Sequence, residues 1–382
     1  MTQQSRPRNA AKGHACDPTP LFPRKATQRQ IAERAGVDRS TVSYVLSGRR
    51  SGGRISEAVA KRVREVAKRL GYAPNRQAQA LVSGCTRTIG LLIHGLHEDL
   101  WTWSRIAEGA QDALIHAGYD VLLQGIAAGT PLRAQAEHMF REGRVDGVIA
   151  LPFARLEDPP SDEPAGSAFP LATIDLGTGQ PCPFVAMDVR PGLAGAVAHL
   201  HERGHRRLMW LTPRLGRTAP SADRLIALRT AVRDANMQVC AIPLTVASET
   251  ACGNYDDNQP QVLEAIRRKL PRPLKATAVL CWNDYLAHCL CAVLRERGLR
   301  IPHDVSVIGF DDVRPMFHVP PMSTVSGAFR QLGGAAAHLV LRMARGELPP
   351  AEAREARVSV PTFFIERRSS GAAPLTGAGS RA

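Results

Sequence analysis

From residue 88 onward the chain alternates short apolar runs with longer stretches of helical spacing, such as 106–117. The apolar runs are 89–93, 118–123, 145–151, 171–174, 208–211, 278–280 and 305–310. Their length and their Val, Ile and Leu content are typical of buried strands. Strand–helix alternation predicts parallel sheets and therefore an α/β body. Because the region is too long for one core, it predicts two doubly wound subdomains that bind ligands beyond the carboxyl ends of their strands.

The residues before this body predict a small all-α helix-turn-helix head. Thr27 is a typical N-cap residue and precedes a helix over 28–35. Gly36 ends that helix and makes the turn, and Asp38 caps a second helix over 39–46. These two helices and their tight turn form the motif.

The second helix has two faces, and a third helix follows it. Thr41, Val42 and Val45 lie on one side of the second helix. The opposite side carries Arg39, Ser40, Ser43 and Tyr44. After Ser56, apolar residues recur at helical spacing as far as Leu70. Three short helices can therefore share one core while the polar face stays in solvent.

The positive charge of the chain is concentrated in its head. The 382 residues carry a net charge of +14, and 44% of them are apolar. Residues 1–84 hold 17 Lys/Arg and 5 Asp/Glu, a net charge of +12. A basic head on a nearly neutral body is typical of a protein that binds a polyanion. The alternative, a solubilising charged tail, does not require regular apolar spacing.

Composition also predicts how the head is connected to the body. Residues 1–24 lack periodicity and are expected to be disordered, and 25–73 form the helix-turn-helix domain. Asn75 can cap a helix of about two turns over 76–81. Isolated helices of this length need a partner for stability, so 74–87 are predicted to be a hinge helix and linker that fold conditionally.

Several classes of protein are disfavoured. No apolar run approaches the roughly 18 residues of a membrane span, and the first residues lack the apolar core of a secretory signal, so a cytoplasmic protein is expected. Eight cysteines without a CxxC pair predict a reduced protein without a metal site. The absence of a GxSxG elbow, a P-loop or a complete GxGxxG motif argues against an enzyme and against a nucleotide cofactor.

Motifs in both parts occur in the order of a known family. The head contains ATQRQIAERAGV at 26–37 and STVSYVLSG at 40–48. The linker and body contain LGYAPN, AQAL, VDG, GHRR, ND, IPHDVSVIGFDD and PPMSTV at 70–75, 78–81, 145–147, 204–207, 283–284, 301–312 and 320–325. Over about residues 25–370 the chain resembles the LacI/GalR family of bacterial transcription regulators.

The resemblance implies a fold and partners. The body, 88–370, is expected to form two periplasmic-binding-protein-like subdomains that the chain crosses three times, followed by a disordered tail over 371–382. The subdomain ranges are 88–187 with 323–350, and 188–322 with 355–370. The resemblance also implies a homodimer on a roughly palindromic double-stranded DNA operator, and a small effector, often a sugar, in the cleft. No C-terminal leucine heptad is present, so a tetramer through a coiled coil is not expected.

The resemblance assigns DNA-binding roles to the head and the hinge. Arg39, Ser40 and Tyr44 occupy base-reading positions, and Tyr44 replaces the arginine common in the family. Arg39 can bond guanine O6 and N7 in the major groove, with a phosphate contact as the alternative. Phosphate contacts are assigned to Thr27, Thr41 and Ser43, and hinge contacts to Asn75, Ala78 and Leu81. Leu81 is expected to wedge between base pairs in the minor groove, with contact between two hinge helices as the alternative.

The resemblance also carries Arg224, Asn283 and Asp311 to the effector cleft, where they supply donors and acceptors for hydroxyls or a carboxylate. Asp311 as a loop cap and Arg224 as a helix-terminus salt bridge are the alternatives. The aromatic residues Trp101, Trp103 and Trp282 are expected at the cleft, although a core or lid role for at least one of them is left open.

These features favour an effector-controlled transcriptional regulator, with a repressor as the preferred form. The alternative is a solute-binding protein or an enzyme on the same α/β body with a non-specific basic head.

Overall fold

The computed structural model describes residues 26–47, 55–94, 100–126, 130–151, 169–175, 183–213, 221–245, 259–313 and 319–374. The chain divides after Gly84 into two compact units, the head and the body. The predicted disorder over 1–24 lies outside the described residues, as do residues 48–54 and most of the predicted tail.

The head contains helices α1 (Gln28–Ala35), α2 (Arg39–Ser47), α3 (Glu57–Arg69) and α4 (Arg76–Ser83). The first three share a small core in which Ile31, Val42 and Val63 are fully buried. Gly36 ends α1 with φ 62°, a left-handed conformation that favours glycine, and so produces the predicted turn. The fold of the head is therefore the predicted helix-turn-helix.

The first half of the body is built on one parallel sheet. Its elements are β1 (Thr88–His94), α5 (Leu100–His116), β2 (Asp120–Ile126), α6 (Leu132–Arg141), β3 (Gly147–Leu151), β4 (Leu171–Asp175) and β5 (Phe184–Asp188), joined later by α11 (Phe329–Ala344), α12 (Pro350–Glu355) and β11 (Arg357–Pro361). The strand order is β11-β5-β4-β3-β1-β2. Helices α5 and α11 pack closely beside this sheet.

The second half has a sheet of the same kind. Its elements are α7 (Arg190–Glu202), β6 (Arg207–Pro213), α8 (Ser221–Asp234), β7 (Gln238–Leu244), α9 (Gln259–Lys269), β8 (Ala278–Cys281), α10 (Asp284–Glu296), β9 (Ser306–Asp311), β10 (Ser323–Ser326) and β12 (Phe363–Ile365). The order is β12-β10-β9-β8-β6-β7, and only β12 pairs antiparallel among the described pairs. Two doubly wound halves confirm the predicted fold class.

The chain crosses between the halves after β5, after β10 and after β11, which is the predicted number of crossings. The predicted ranges need two corrections. Strand β10 lies in the second sheet because it pairs with β9, and β11 lies in the first because it pairs with β5. The placement of β11 depends on pairing with a strand far away in the sequence, which local pattern does not reveal, whereas β10 pairs with the strand that precedes it.

The structured body also extends beyond residue 370. The Gly371 amide donates to Ser306 Oγ at 3.0 Å, and the Ala373 amide donates to the Arg203 carbonyl at 2.8 Å. Residues 371–374 are therefore ordered rather than part of the predicted tail. None of the helices in the described part of the chain is long and apolar enough to cross a membrane.

Candidate DNA-binding and effector sites

Helix α2 presents a polar face to solvent. Arg39, Ser40 and Ser43 are exposed, and Tyr44 is half exposed, whereas Val42 on the opposite face is fully buried. Thr41 is partly buried between these two faces. The exposed set offers a guanidinium and several hydroxyls, which are the groups that bond base edges and phosphates.

Thr27 caps α1 in the structure. Its Oγ1 accepts a hydrogen bond from the Gln30 amide at 3.3 Å, and its own amide donates to Gln30 Oε1 at 2.9 Å. This reciprocal capping box satisfies two amides at the helix start. A phosphate contact by Thr27 would be made in addition to this capping role.

The hinge helix α4 exposes the side chain of Leu81. Asn75 Oδ1 accepts a hydrogen bond from the Ala78 amide at 3.4 Å and so caps the helix. Ala78 is exposed, and Leu81 is 90% exposed. An apolar side chain held in solvent on a short helix is available to insert between bases or to pack on a second copy.

In the second half, Arg224 forms the centre of a polar cluster at the carboxyl ends of β8 and β9. Its Nη2 donates to Asp311 Oδ1 at 3.1 Å, and its Nη1 donates to the Trp282 carbonyl. The guanidinium lies 3.8 Å from the Phe310 ring centroid and 4.8 Å from that of Trp282. Arg224 is therefore held between two aromatic rings, with its charge balanced by Asp311.

Asp311 is unusual in both its backbone conformation and the electrostatic surroundings of its carboxylate. Its φ of 100° is left-handed, which is strained for a residue other than glycine. Burial raises the pKa of Asp311, while the guanidinium of Arg224 opposes that rise. The salt bridge considered as an alternative for Arg224 is thus present, and Asp311 is its partner.

Asn283 and Asp284 begin helix α10 beside this cluster. Asn283 Oδ1 accepts a hydrogen bond from the Leu286 amide at 2.9 Å and caps the helix. Asp284 is fully buried, and its carboxyl accepts from Thr324 Oγ1 at 2.7 Å and from the Val313 amide at 2.6 Å. Burial raises the pKa of Asp284 well above its usual range. Asp284 therefore ties the turn after Asp311 to strand β10.

The sequence reasoning did not assign a role to Asp284, although the Asn283-Asp284 pair contributed to the resemblance. In the structure a Cβ on Gly309 would overlap Asp284 Oδ1, a contact between elements that the sequence does not signal. The sequence reasoning also did not assign the ion pair between Asp188, the last residue of β5, and Arg190. The Arg190 side chain lowers the pKa of Asp188.

Trp101 and Trp103 lie in the first turns of α5, in the first half, whereas Trp282 lies in the second half beside Arg224. Trp103 is buried in the core of the first half, which is the core role that the sequence left open. Trp101 is half-buried, and its carbonyl accepts from Ser104 Oγ at 2.7 Å.

The cysteines of α10 are buried among apolar side chains. Burial raises the pKa of Cys289 and that of Cys291 to about 12, so both remain thiols at neutral pH. Within the described ranges, no group of three or more metal-ligating side chains occurs.

The fold and these sites define a class of protein: a DNA-binding regulator with a helix-turn-helix head and a periplasmic-binding-protein-like body. The family model for bacterial regulatory proteins of the lacI family matches residues 27–75, and the periplasmic binding protein-like domain model matches 197–370. The chain therefore contains a lacI-family DNA-binding domain followed by a periplasmic-binding-protein-like domain.

Relatives and solved structures agree with this assignment. The chain is 26% identical over 318 residues to the HTH-type transcriptional repressor PurR of Aliivibrio salmonicida (strain LFI1238), covering 83% of this chain and 91% of that protein. It is similar in fold to the lac repressor dimer bound to operator and the anti-inducer ONPF, with TM-score 0.71 and 23% identity. That match covers 91% of this chain and 100% of the lac repressor chain. A third match is the transcriptional regulator CelR in complex with cellobiose, with TM-score 0.57, 26% identity and coverage of 90% and 100%.

Proposed function

We propose that this protein is a transcriptional repressor that binds a roughly palindromic operator as a homodimer and responds to a small effector between the two halves of its body. The observation that carries the proposal is the exposed polar face of α2 on a packed three-helix head, joined to an α/β body. A two-fold dimer suits such a head because each recognition helix needs its own half-site. Repressor names among the relatives support the direction of regulation.

The proposed DNA contacts are those of α1, α2 and the hinge helix. Arg39, Ser40 and Tyr44 would read bases, while Thr27, Thr41 and Ser43 would contact phosphates. In the hinge helix, Leu81 would act with Asn75 and Ala78 in the minor groove. The exposure of Leu81 supports this role, because a buried leucine has no access to DNA.

The proposed effector site is the cluster of Arg224, Trp282, Asn283 and Asp311, with Trp101 on the other half, whereas Trp103 belongs to the core. Aromatic rings beside paired polar groups suit a sugar or a related metabolite. CelR, a solved relative, is titled as a cellobiose complex, so cellobiose is a natural first probe. The regulator would act in the cytoplasm, where bacterial operators lie, and would have no catalytic activity.

The test is to select bound DNA from fragments of the source genome with purified protein at a fixed salt concentration. Recovery of a palindromic site with two major-groove half-sites is the expected result. Weak, sequence-independent binding that collapses with salt would instead favour a solute-binding protein or an enzyme with a non-specific basic head.

A variant then separates base reading from phosphate contact. If Arg39 reads a guanine, Arg39→Ala relaxes specificity at one base pair of each half-site and costs about 1–3 kcal/mol there. If Arg39 contacts only a phosphate, affinity falls uniformly over all sequences. Arg34→Ala, at an exposed arginine of α1, is the matched control.

A further inference from the structure

The body begins with a bend that wraps one carboxylate. Asp146, immediately before β3, accepts four hydrogen bonds from the three residues that follow Gly84. Oδ1 accepts from the Thr86 amide at 2.7 Å and from Thr86 Oγ1 at 2.8 Å. Oδ2 accepts from the Arg87 amide at 2.8 Å and from the Cys85 thiol at 2.9 Å. We call residues 85–87 the connector bend.

The backbone of the connector bend takes a conformation that it would not hold alone. Arg87 has φ 51°, a left-handed value that costs free energy for a side chain of this size. Such strain persists only where surrounding contacts determine it, and the Asp146 carboxylate supplies them through two amides, one hydroxyl and one thiol. The connector bend is therefore fixed by Asp146 rather than by local preference.

The rest of the first half supports this arrangement. The Arg87 carbonyl accepts from the Asp120 amide at 2.8 Å, and the Thr88 carbonyl accepts from the Asp146 amide at 2.8 Å. Burial and the bond to Asp146 raise the pKa of Cys85, so its thiol stays protonated and can donate. The connector bend is therefore hydrogen-bonded to the sheet of the first half.

We propose that Asp146 is a positioning residue for operator binding: by fixing residues 85–87, it removes flexibility from the connection between the hinge helix and the body. The inference rests on the proposed function. Free rotation is then confined to Gly84 and the residues before it, and the heads do not have to order three further residues when they engage DNA. A movement of the first half is also transmitted directly to residue 85, whereas a freely jointed linker would absorb that movement.

The test compares affinity for the operator duplex recovered from the genome with affinity for a scrambled duplex of the same composition. In Asp146→Ala all four bonds are lost, and operator affinity is expected to fall at least about tenfold while scrambled-duplex affinity is unchanged. Thr86→Val loses the hydroxyl bond to Asp146 and the bond that Thr86 Oγ1 accepts from the Thr88 amide at 3.1 Å. It keeps the branched shape and the other three bonds to Asp146, so a smaller fall is expected. Glu355→Gln removes one exposed charge from the same half and should behave as the parent.

Amide hydrogen exchange measures the bend itself. The Thr86 and Arg87 amides are expected to be protected in the parent and exposed in Asp146→Ala. If Asp146→Ala does not fold, Thr86→Val alone decides the question. The proposal is overturned if exchange shows the amides released while operator affinity stays within about twofold of the parent. It is also overturned if these amides are unprotected in the parent. Since the parent must first select an operator, failure here leaves the proposed function intact.

Discussion

At the scale of single residues, the sharpest expectation concerns Leu81. With 90% of this residue exposed, its removal leaves no cavity in the folded head. Inserting an apolar side chain between base pairs bends the duplex and extends the interface. Leu81→Ala is therefore expected to weaken operator binding at least about tenfold without changing the thermal unfolding of the protein. Fluorescence anisotropy with the selected operator and calorimetry measure the two effects.

Gln79→Ala, at an exposed position of the same helix to which no DNA contact is assigned, is the control for Leu81→Ala. Equal operator affinity of Leu81→Ala and the parent would remove the minor-groove wedge from the mechanism. Loss of affinity together with loss of dimer would instead favour the contact between two hinge helices.

Arg224 carries the second expectation at this scale. Its loss leaves Asp311 buried without its cation, and breaking a buried pair in this way costs about 3–5 kcal/mol. Arg224→Leu is expected to lose the effector response while operator binding by the head persists. Arg229→Leu changes an exposed arginine on the same helix and should respond normally. Operator release measured against cellobiose concentration, or against whichever metabolite proves active, distinguishes these variants.

An unchanged response of Arg224→Leu, in a protein that is folded by circular dichroism, would place the effector elsewhere. The Arg224–Asp311 pair would then be a structural clamp on the turn after β9. The two outcomes differ in one measured quantity, the effector concentration at half-release.

At the scale of elements, helices α5 and α11 approach closely enough that one glycine is obligatory and its neighbour is not. A Cβ on Gly333 would overlap the Ile106 carbonyl of α5, whereas a Cβ on Gly334 would lie 3.7 Å from the Gly109 carbonyl. Gly333→Ala is expected to destabilise the first half by about 1–3 kcal/mol through overpacking. Gly334→Ala is expected to be neutral or stabilising by up to about 1 kcal/mol, because alanine favours helix.

Urea unfolding followed by circular dichroism tests this adjacent pair of variants. Equal midpoints for Gly333→Ala and Gly334→Ala would show that α11 can shift away from α5 without cost.

Local chemistry explains which elements were predictable. Thr27, Gly36 and Ser56 indicate helix ends in the sequence, because caps and left-handed turns depend on neighbouring residues alone. Strand β11 was placed in the wrong half because its partner β5 is distant in sequence. Strand β10 pairs with the preceding strand β9 and was misplaced because the predicted boundary at 323 fell before it. Helix α5 begins at Leu100, before the predicted 106, and Trp103 continues the buried spacing of Ile106, Ala110 and Leu114.

The sites were predictable to a different extent. Residue types and helical spacing located the polar face of α2, but the resemblance alone located Arg224 and Asp311. Their ion pair, the rings of Phe310 and Trp282 around Arg224, and the buried Asp284 depend on three-dimensional contacts between elements. The roles of these residues in effector binding remain predictions.

At the scale of the whole molecule, buried histidines make stability depend on pH. His205 is fully buried, with Nδ1 2.7 Å from Thr277 Oγ1 and Nε2 3.0 Å from the Gly371 carbonyl. Burial lowers the pKa of His205 and that of His199, which lies 2.8 Å from Ser370 Oγ. Both histidines thus contact the last described segment of the chain, at Ser370 and Gly371.

The sign of the effect follows from proton linkage. A histidine whose pKa is lower in the folded state than its unfolded value of about 6.5 binds fewer protons when folded. The stabilisation by each neutral histidine is therefore fully present above about pH 7. As pH drops through about 6.5, the free energy of unfolding falls by at most about 1.4 kcal/mol per pH unit for each histidine. Unfolding in urea at pH 7.5 and 5.5 should show His205→Gln losing less stability on acidification than the parent. His338→Gln, at an exposed position of α11, should lose as much as the parent. An equal loss in all three proteins would assign the acid sensitivity to other groups, and the C-terminal segment would then not be the pH-dependent part of the body.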